Sequence, residues 1–183
     1  MGNFTFHETR ISGVFVIDAK LCEDRRGYFS ETYRREDFRS AGLDYDFVQD
    51  NLSFSHRGVL RGLHFQRSFP QAKLLRVLQG EVFDVAVDLR KGSETYGQWI
   101  GTVLSEQNHR LFLIPRGFAH GFQVLSDTAL LTYKCDEVYH PEDEDGVMWN
   151  DPQLAIAWQD AAEPILSEKD RHYKAFREAG IEL

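Results

Sequence analysis

The chain has 183 residues, 42% hydrophobic and 27% charged, a composition that suits one soluble domain with a sizeable core. Its 29 acidic against 21 basic side chains give a formal charge of -8, which repels a polyanion and argues against nucleic acid as a partner. The longest apolar runs, at 111–115 and 129–131, are far too short for a bilayer, and a start carrying Asn3, His7, Glu8 and Arg10 does not read as a signal peptide, so a cytoplasmic protein with no membrane partner is expected.

In chain order the pattern predicts short strands at 12–18, 27–33, 58–66, 73–79, 82–89, 98–104, 111–114, 118–126 and 129–139, parted by turns such as Arg90-Lys91-Gly92-Ser93. The alternation is clearest at 82–89, where Phe83, Val85, Val87 and Leu89 share one face and Val82, Asp84, Ala86 and Asp88 the other. Helices are predicted at 35–41, stopped by Gly42, and at 168–179, preceded by Ser167 and stopped by Gly180. So many short strands imply a mainly β sandwich or barrel, a single domain over 1–183 without repeat or linker. Cys22 and Cys135 are expected to be reduced.

Two segments concentrate the chemistry. Arg61-Gly62-Leu63-His64-Phe65-Gln66, followed by Lys73, brings an anion binder, a base and a cation within thirteen residues. Pro115-Arg116-Gly117-Phe118-Ala119-His120-Gly121-Phe122 adds a second histidine in a turn-rich, aromatic setting. Arg25, Arg26, Arg61, Lys73 and Lys169 are the cations available to hold a small anion. The two segments resemble the halves of the cupin motif, but only the second is intact, in Pro115, Gly117 and His120. Gln66 stands where a metal-binding cupin has its next histidine, and no glutamate follows before Glu81. A divalent metal wants three or four converging His and carboxylate ligands, so neither metal nor other cofactor is expected.

Seven ordered motifs carry a more specific likeness: Arg26-Gly27-Tyr28-Phe29-Ser30-Glu31, Phe47-Val48-Gln49-Asp50-Asn51, 58–64, Gly80-Glu81-Val82-Phe83-Asp84-Val85, 115–122, Trp149-Asn150-Asp151-Pro152 and Leu166-Ser167-Glu168-Lys169-Asp170. Through them the chain resembles the dTDP-4-dehydrorhamnose 3,5-epimerases from about residue 4 to residue 178. The resemblance implies an antiparallel cupin-type jelly roll with short flanking helices, one of them C-terminal. It also implies a homodimer exchanging amino-terminal strands and a small-molecule dTDP-sugar substrate.

In a 4-keto sugar the protons on C3 and C5 are both α to the carbonyl, and removing either leaves an enolate with its charge on the C4 oxygen. A base, an oxyanion partner and an acid on the opposite face are therefore needed. By resemblance these are His64, Lys73 and Tyr133, with Tyr139 the competing acid in the same segment, and Asp170 is the carboxylate behind the base. Asp170 is also placed where Ser167 would cap a helix, a position that favours an acid without any catalytic role. Asp84 is expected to pair with His120. The resemblance assigns substrate contact to Arg26, Glu31, Gln49, Asp50, Asn51, Arg61, His120, Glu144 and Lys169, with Phe29 available to stack on the thymine. Strict strand alternation sets Arg61 and His64 on opposite faces, a conflict that a bend at Gly62 would resolve. A 3-only or 5-only epimerase shares these residues; a metal-dependent cupin and a non-catalytic sugar-nucleotide binding module fit them less well.

Overall fold

The computed structural model describes residues 2–181 and 183. It holds β1 Phe4–Glu8, β2 Phe15–Ala19, β3 Cys22–Asp24, β4 Gly27–Phe29, α1 Arg35–Ser40, β5 Gln49–His56, β6 Leu60–Gln66, β7 Lys73–Gln79, β8 Glu81–Asp88, β9 Trp99–Ser105, β10 Arg110–Ile114, β11 Phe118–Val124, β12 Thr128–Cys135, β13 Glu144–Gly146 and α2 Phe176–Ala179. A six-stranded sheet in the order β1-β2-β10-β7-β12-β5 faces a five-stranded sheet in the order β13-β6-β11-β8-β9, with β3 and β4 a separate hairpin. Every paired strand runs antiparallel, the jelly-roll sandwich expected of the sequence.

Alternation builds three apolar layers. Between the sheets lie Leu75, Val77, Val82, Ala86, Phe112, Phe118, Phe122 and Leu131. The outer face of the five-stranded sheet, with Phe83, Val85 and Val87, is covered by the carboxy-terminal segment through Leu154, Phe176 and Ile181. The outer face of the six-stranded sheet, with Leu74, Leu111 and Leu113, is covered by Phe38 of α1 together with Phe4. Each fully buried Leu, Val or Phe contributes about 1.5–3 kcal/mol, so both flanking segments are bound by the faces they cover. The second face of β8 is buried as well, because it turns Val82 and Ala86 into the space between the sheets. Asp88 there is held by Arg90, Ser93 and Thr95. Burial opposes its charge, but these bonds outweigh it and bring its pKa down to about 2.

Several expectations are corrected. The segment 168–179 is helical only at 176–179. Ser167 Oγ does accept the Asp170 N–H at 3.1 Å, but the chain then extends so that Lys174 bridges Val147, and the turn does not propagate. The strand expected at 27–33 stops at Phe29, and the one expected at 129–139 stops at Cys135, where the backbone leaves the sheet. β1, β3, β5 and β13 were not anticipated.

Candidate active site

The open end of the sandwich holds a cavity of two compartments, about 310 Å³ and about 370 Å³. The first is lined by Gln49, Asn51, Gln71, Tyr139 and Glu144 among others, the second by Ser53, Arg61, His120 and Phe122. His64, Lys73 and Tyr133 line both and so form the neck between them.

Inward register places these three. Lys73 opens β7 on the face that continues with Leu75 and Val77, and Tyr133 of β12 shares the face of Leu131. His64 lies opposite His120 across the β6–β11 pair, while Arg61 lies opposite Phe122. Three residues of β6 thus span two of β11, a bulge that puts Arg61 and His64 on the same inner side and resolves the alternation conflict. Gly62 permits it. Its φ is +126°, and a Cβ there would sit 2.5 Å from the Gly121 Cα and 2.8 Å from the His120 carbonyl oxygen.

Behind the neck, His64 Nε2 meets Asp170 Oδ1 at 2.5 Å, the histidine about one-third exposed and the carboxylate buried. The Tyr173 ring stands edge-on to the imidazole, with centroids 5.7 Å apart. It occupies the space over Gly146, the β13 residue paired with His64, where a Cβ would come within 2.5 Å of the ring. Lys73 is half-buried, and desolvation lowers its pKa against the attraction of Cys135, Asp84 and Glu144. Burial pushes the Tyr133 hydroxyl up to about 12, so it keeps its proton at neutral pH. Burial also lowers the His120 pKa, although Asp84 Oδ1 lies 2.9 Å from its Nε2 and favours the cation.

Glu144 gathers the rim. Lys169 and Tyr173 donate to it, as does the Tyr139 hydroxyl, whose pKa is raised to about 12 chiefly by that bond. Burial alone would raise the Glu144 pKa; the bonds from Lys169 and Tyr139 reverse this and hold it below the ordinary carboxylate value. Gln66, in the place of a metal-ligating histidine, is spent on backbone. It donates to the carbonyls of Phe69 (2.7 Å) and Val138 (3.2 Å) and accepts from the His140 N–H (2.7 Å).

The structure therefore brings His64, Lys73, Tyr133, Asp170, Gln49, Asn51, Arg61, His120, Glu144 and Lys169 around one cavity. It does not bring the remaining candidates there. Asp50 points to the outer face of β5, where Lys134 holds it at 2.9 Å, because alternation turns it away from Gln49 and Asn51. Arg26 pairs with Asp24, Glu31 with Arg34 and Asn3, and Phe29 is 69% exposed on the β3–β4 hairpin. None of these three lines either compartment. Gln71, Ser53 and Tyr173 line or back the cavity and were missed, since nothing in a lone Gln, Ser or Tyr separates a wall from a surface.

Comparison with known proteins adds a model described as dTDP-4-dehydrorhamnose 3,5-epimerase, which matches residues 8–178. The chain belongs to the dTDP-4-dehydrorhamnose 3,5-epimerase family. It is 52% identical to the enzyme of that name from Methanothermobacter thermautotrophicus, over 100% of both chains. It is also 52% identical to the one from Pseudomonas aeruginosa, over 92% of this chain and 94% of the other. Among solved structures it is similar to a dTDP-6-deoxy-D-glucose-3,5-epimerase from Legionella pneumophila in complex with dTDP-4-keto-L-rhamnose. That match has a TM-score of 0.92 and 48% identity, covering 94% of this chain and 92% of the other. As an epimerase of this family the chain is an isomerase.

The bulge gives a direct test of how this epimerase site is built. Gly62→Ala forces backbone against backbone at Gly121, so its thermal midpoint should fall by the equivalent of about 2–4 kcal/mol and its epimerase activity should vanish. Wild-type stability and turnover in this variant would show that the close approach is not required.

Proposed function

We propose that the chain works as one catalytic domain that inverts dTDP-4-dehydro-6-deoxy-D-glucose at C3 and C5, giving dTDP-4-dehydro-L-rhamnose on the route to dTDP-L-rhamnose. The observation that carries the chemistry is the shared neck, where a histidine backed by a buried carboxylate, a desolvated ammonium and a protonated phenol converge. His64 takes the proton from the carbon beside the carbonyl, and Asp170 holds the ring and stabilises the imidazolium that results. Lys73 faces the oxygen on which enolate charge collects. The ammonium stabilises that charge more strongly here than water would, because the pocket is partly dry. Tyr133 returns a proton from the other face, which is what turns exchange into inversion.

The nucleoside and its diphosphate are assigned to the compartment of Gln49, Asn51, Tyr139, Glu144 and Lys169, where the 46%-exposed Tyr139 ring offers a stacking surface, and Arg61 to the substrate on the far side of the neck. Arg26, Phe29 and Glu31 reach the site only from a second copy, and the protein acts as a cytoplasmic homodimer. The exposed β3–β4 hairpin supports this reading. So does the outer face of β5, where Leu52 (67%) and Phe54 (52%) are bare beside a groove of about 480 Å³.

Product identification by NMR after incubation with dTDP-4-keto-6-deoxyglucose tests the reaction: the doubly inverted sugar supports it, and a single inversion or none overturns it. No metal or other cofactor takes part on this reading, so chelation should leave turnover unchanged. Stoichiometric Zn, Fe, Mn or Ni, with activity lost on stripping and restored on return, would contradict it.

A further inference from the structure

β5 is patterned inside out. Its register with β12 sets Gln49, Asn51, Ser53 and Ser55 on the inner face and Asp50, Leu52, Phe54 and His56 on the outer. A strand that turns its polar side toward the interior must satisfy each group there, and three of the four are satisfied within the protein. Gln49 accepts the Tyr139 N–H at 2.8 Å and donates to Asn51 Oδ1 at 3.0 Å. Asn51 donates to Cys135 Sγ at 3.6 Å, and Ser55 Oγ accepts Arg61 Nε at 3.1 Å. The Ser53 hydroxyl is buried and has no hydrogen-bond partner among the described residues. Ser53 forms part of the wall of the 370 Å³ compartment, together with Arg61, His120 and the three neck residues. The other buried orphan, Oδ2 of Asp84, belongs to a residue that lines neither compartment.

We propose that Ser53 is a specificity residue that hydrogen-bonds the C2 hydroxyl of the hexose, an assignment that rests on the proposed function. Elimination around the ring leads to that hydroxyl. The C4 oxygen belongs to Lys73, and C3 and C5 are where His64 and Tyr133 act. C1 carries the diphosphate, which leads back to the nucleoside in the first compartment, and C6 is a methyl. Two hydroxyls are left, and the one on C3 swings away when that carbon inverts, whereas the one on C2 stays in place, so a bond to the C2 hydroxyl holds the ring in one register while C3 and C5 invert.

The test compares wild type and Ser53→Ala on dTDP-4-keto-6-deoxyglucose, on its 2-deoxy counterpart and on dTDP alone. The alanine removes a hydroxyl with no partner in the free protein, so its thermal midpoint should be equal or higher. Its kcat/KM should fall about three- to tenfold on the full substrate and stay unchanged on the 2-deoxy sugar, with dTDP affinity unaltered, the scale of one neutral hydrogen bond. An equal loss on both sugars, no loss on either, weaker dTDP binding or a lower midpoint would each overturn the role of Ser53. Failure of the wild-type protein to turn over the hexose would instead overturn the function on which it rests.

Discussion

His64→Asn should stop solvent deuterium from entering the sugar at both C3 and C5, because one base begins each enolisation. Asparagine keeps a polar group of similar reach facing Asp170 but cannot accept a proton at neutral pH, so the rate should drop by about 10²- to 10⁴-fold. Affinity for dTDP should survive, since the nucleoside groups Gln49, Asn51 and Glu144 belong to the first compartment and do not depend on the imidazole. Exchange monitored by NMR decides the matter. Uptake at close to the wild-type rate would mean that the base is another residue, and His120 would then be examined, as the other histidine lining the cavity.

Tyr133→Phe should separate proton removal from inversion. The ring, its packing against the inter-sheet core and the neighbouring Lys73 all remain, and only the donor is lost. Deuterium should still wash in, while the inverted product falls by about 10²-fold or more at the carbon the tyrosine serves, expected to be C5. Because burial keeps this phenol protonated, inversion by the wild type should not fall through loss of that proton between pH 6 and 9. Tyr139→Phe is the control: its hydroxyl is occupied by Glu144 at the rim, so it should change binding rather than stereochemistry. Double inversion at an undiminished rate in Tyr133→Phe would withdraw the acid from this residue.

How far the sequence disclosed these features depended on whether local pattern and environment agreed. β8 and β11 were legible because an interior strand buries Val, Phe and Ala at a period of two, and the structure buries nearly all of both. β5 was invisible for the opposite reason: Gln49-Asp50-Asn51-Leu52-Ser53-Phe54-Ser55 has poor strand propensity and carries its apolar side outward, as a cavity wall demands. The neck residues were found through motifs, yet the face shared by Arg61 and His64 contradicted simple alternation, since a bulge is written in the backbone at Gly62 and only faintly in side chains. The helix expected at 168–179 had its Ser167–Asp170 signal and lost to tertiary pairing at Lys174. Arg26, Phe29 and Glu31 show the remaining limit: a motif marks residues without placing them, and here they lie away from the cavity.

His64 and Asp170, the proposed base and its carboxylate, lie 106 residues apart, on β6 and on the segment that crosses the flank after β13. Asp170 is carried by the segment that Leu154, Phe176 and Ile181 hold on the outer face of the five-stranded sheet, so the pair exists only where that segment is seated. On the proposed mechanism, catalytic competence therefore requires the docked tail as well as the strands. During refolding, the return of turnover should report the docking of the tail.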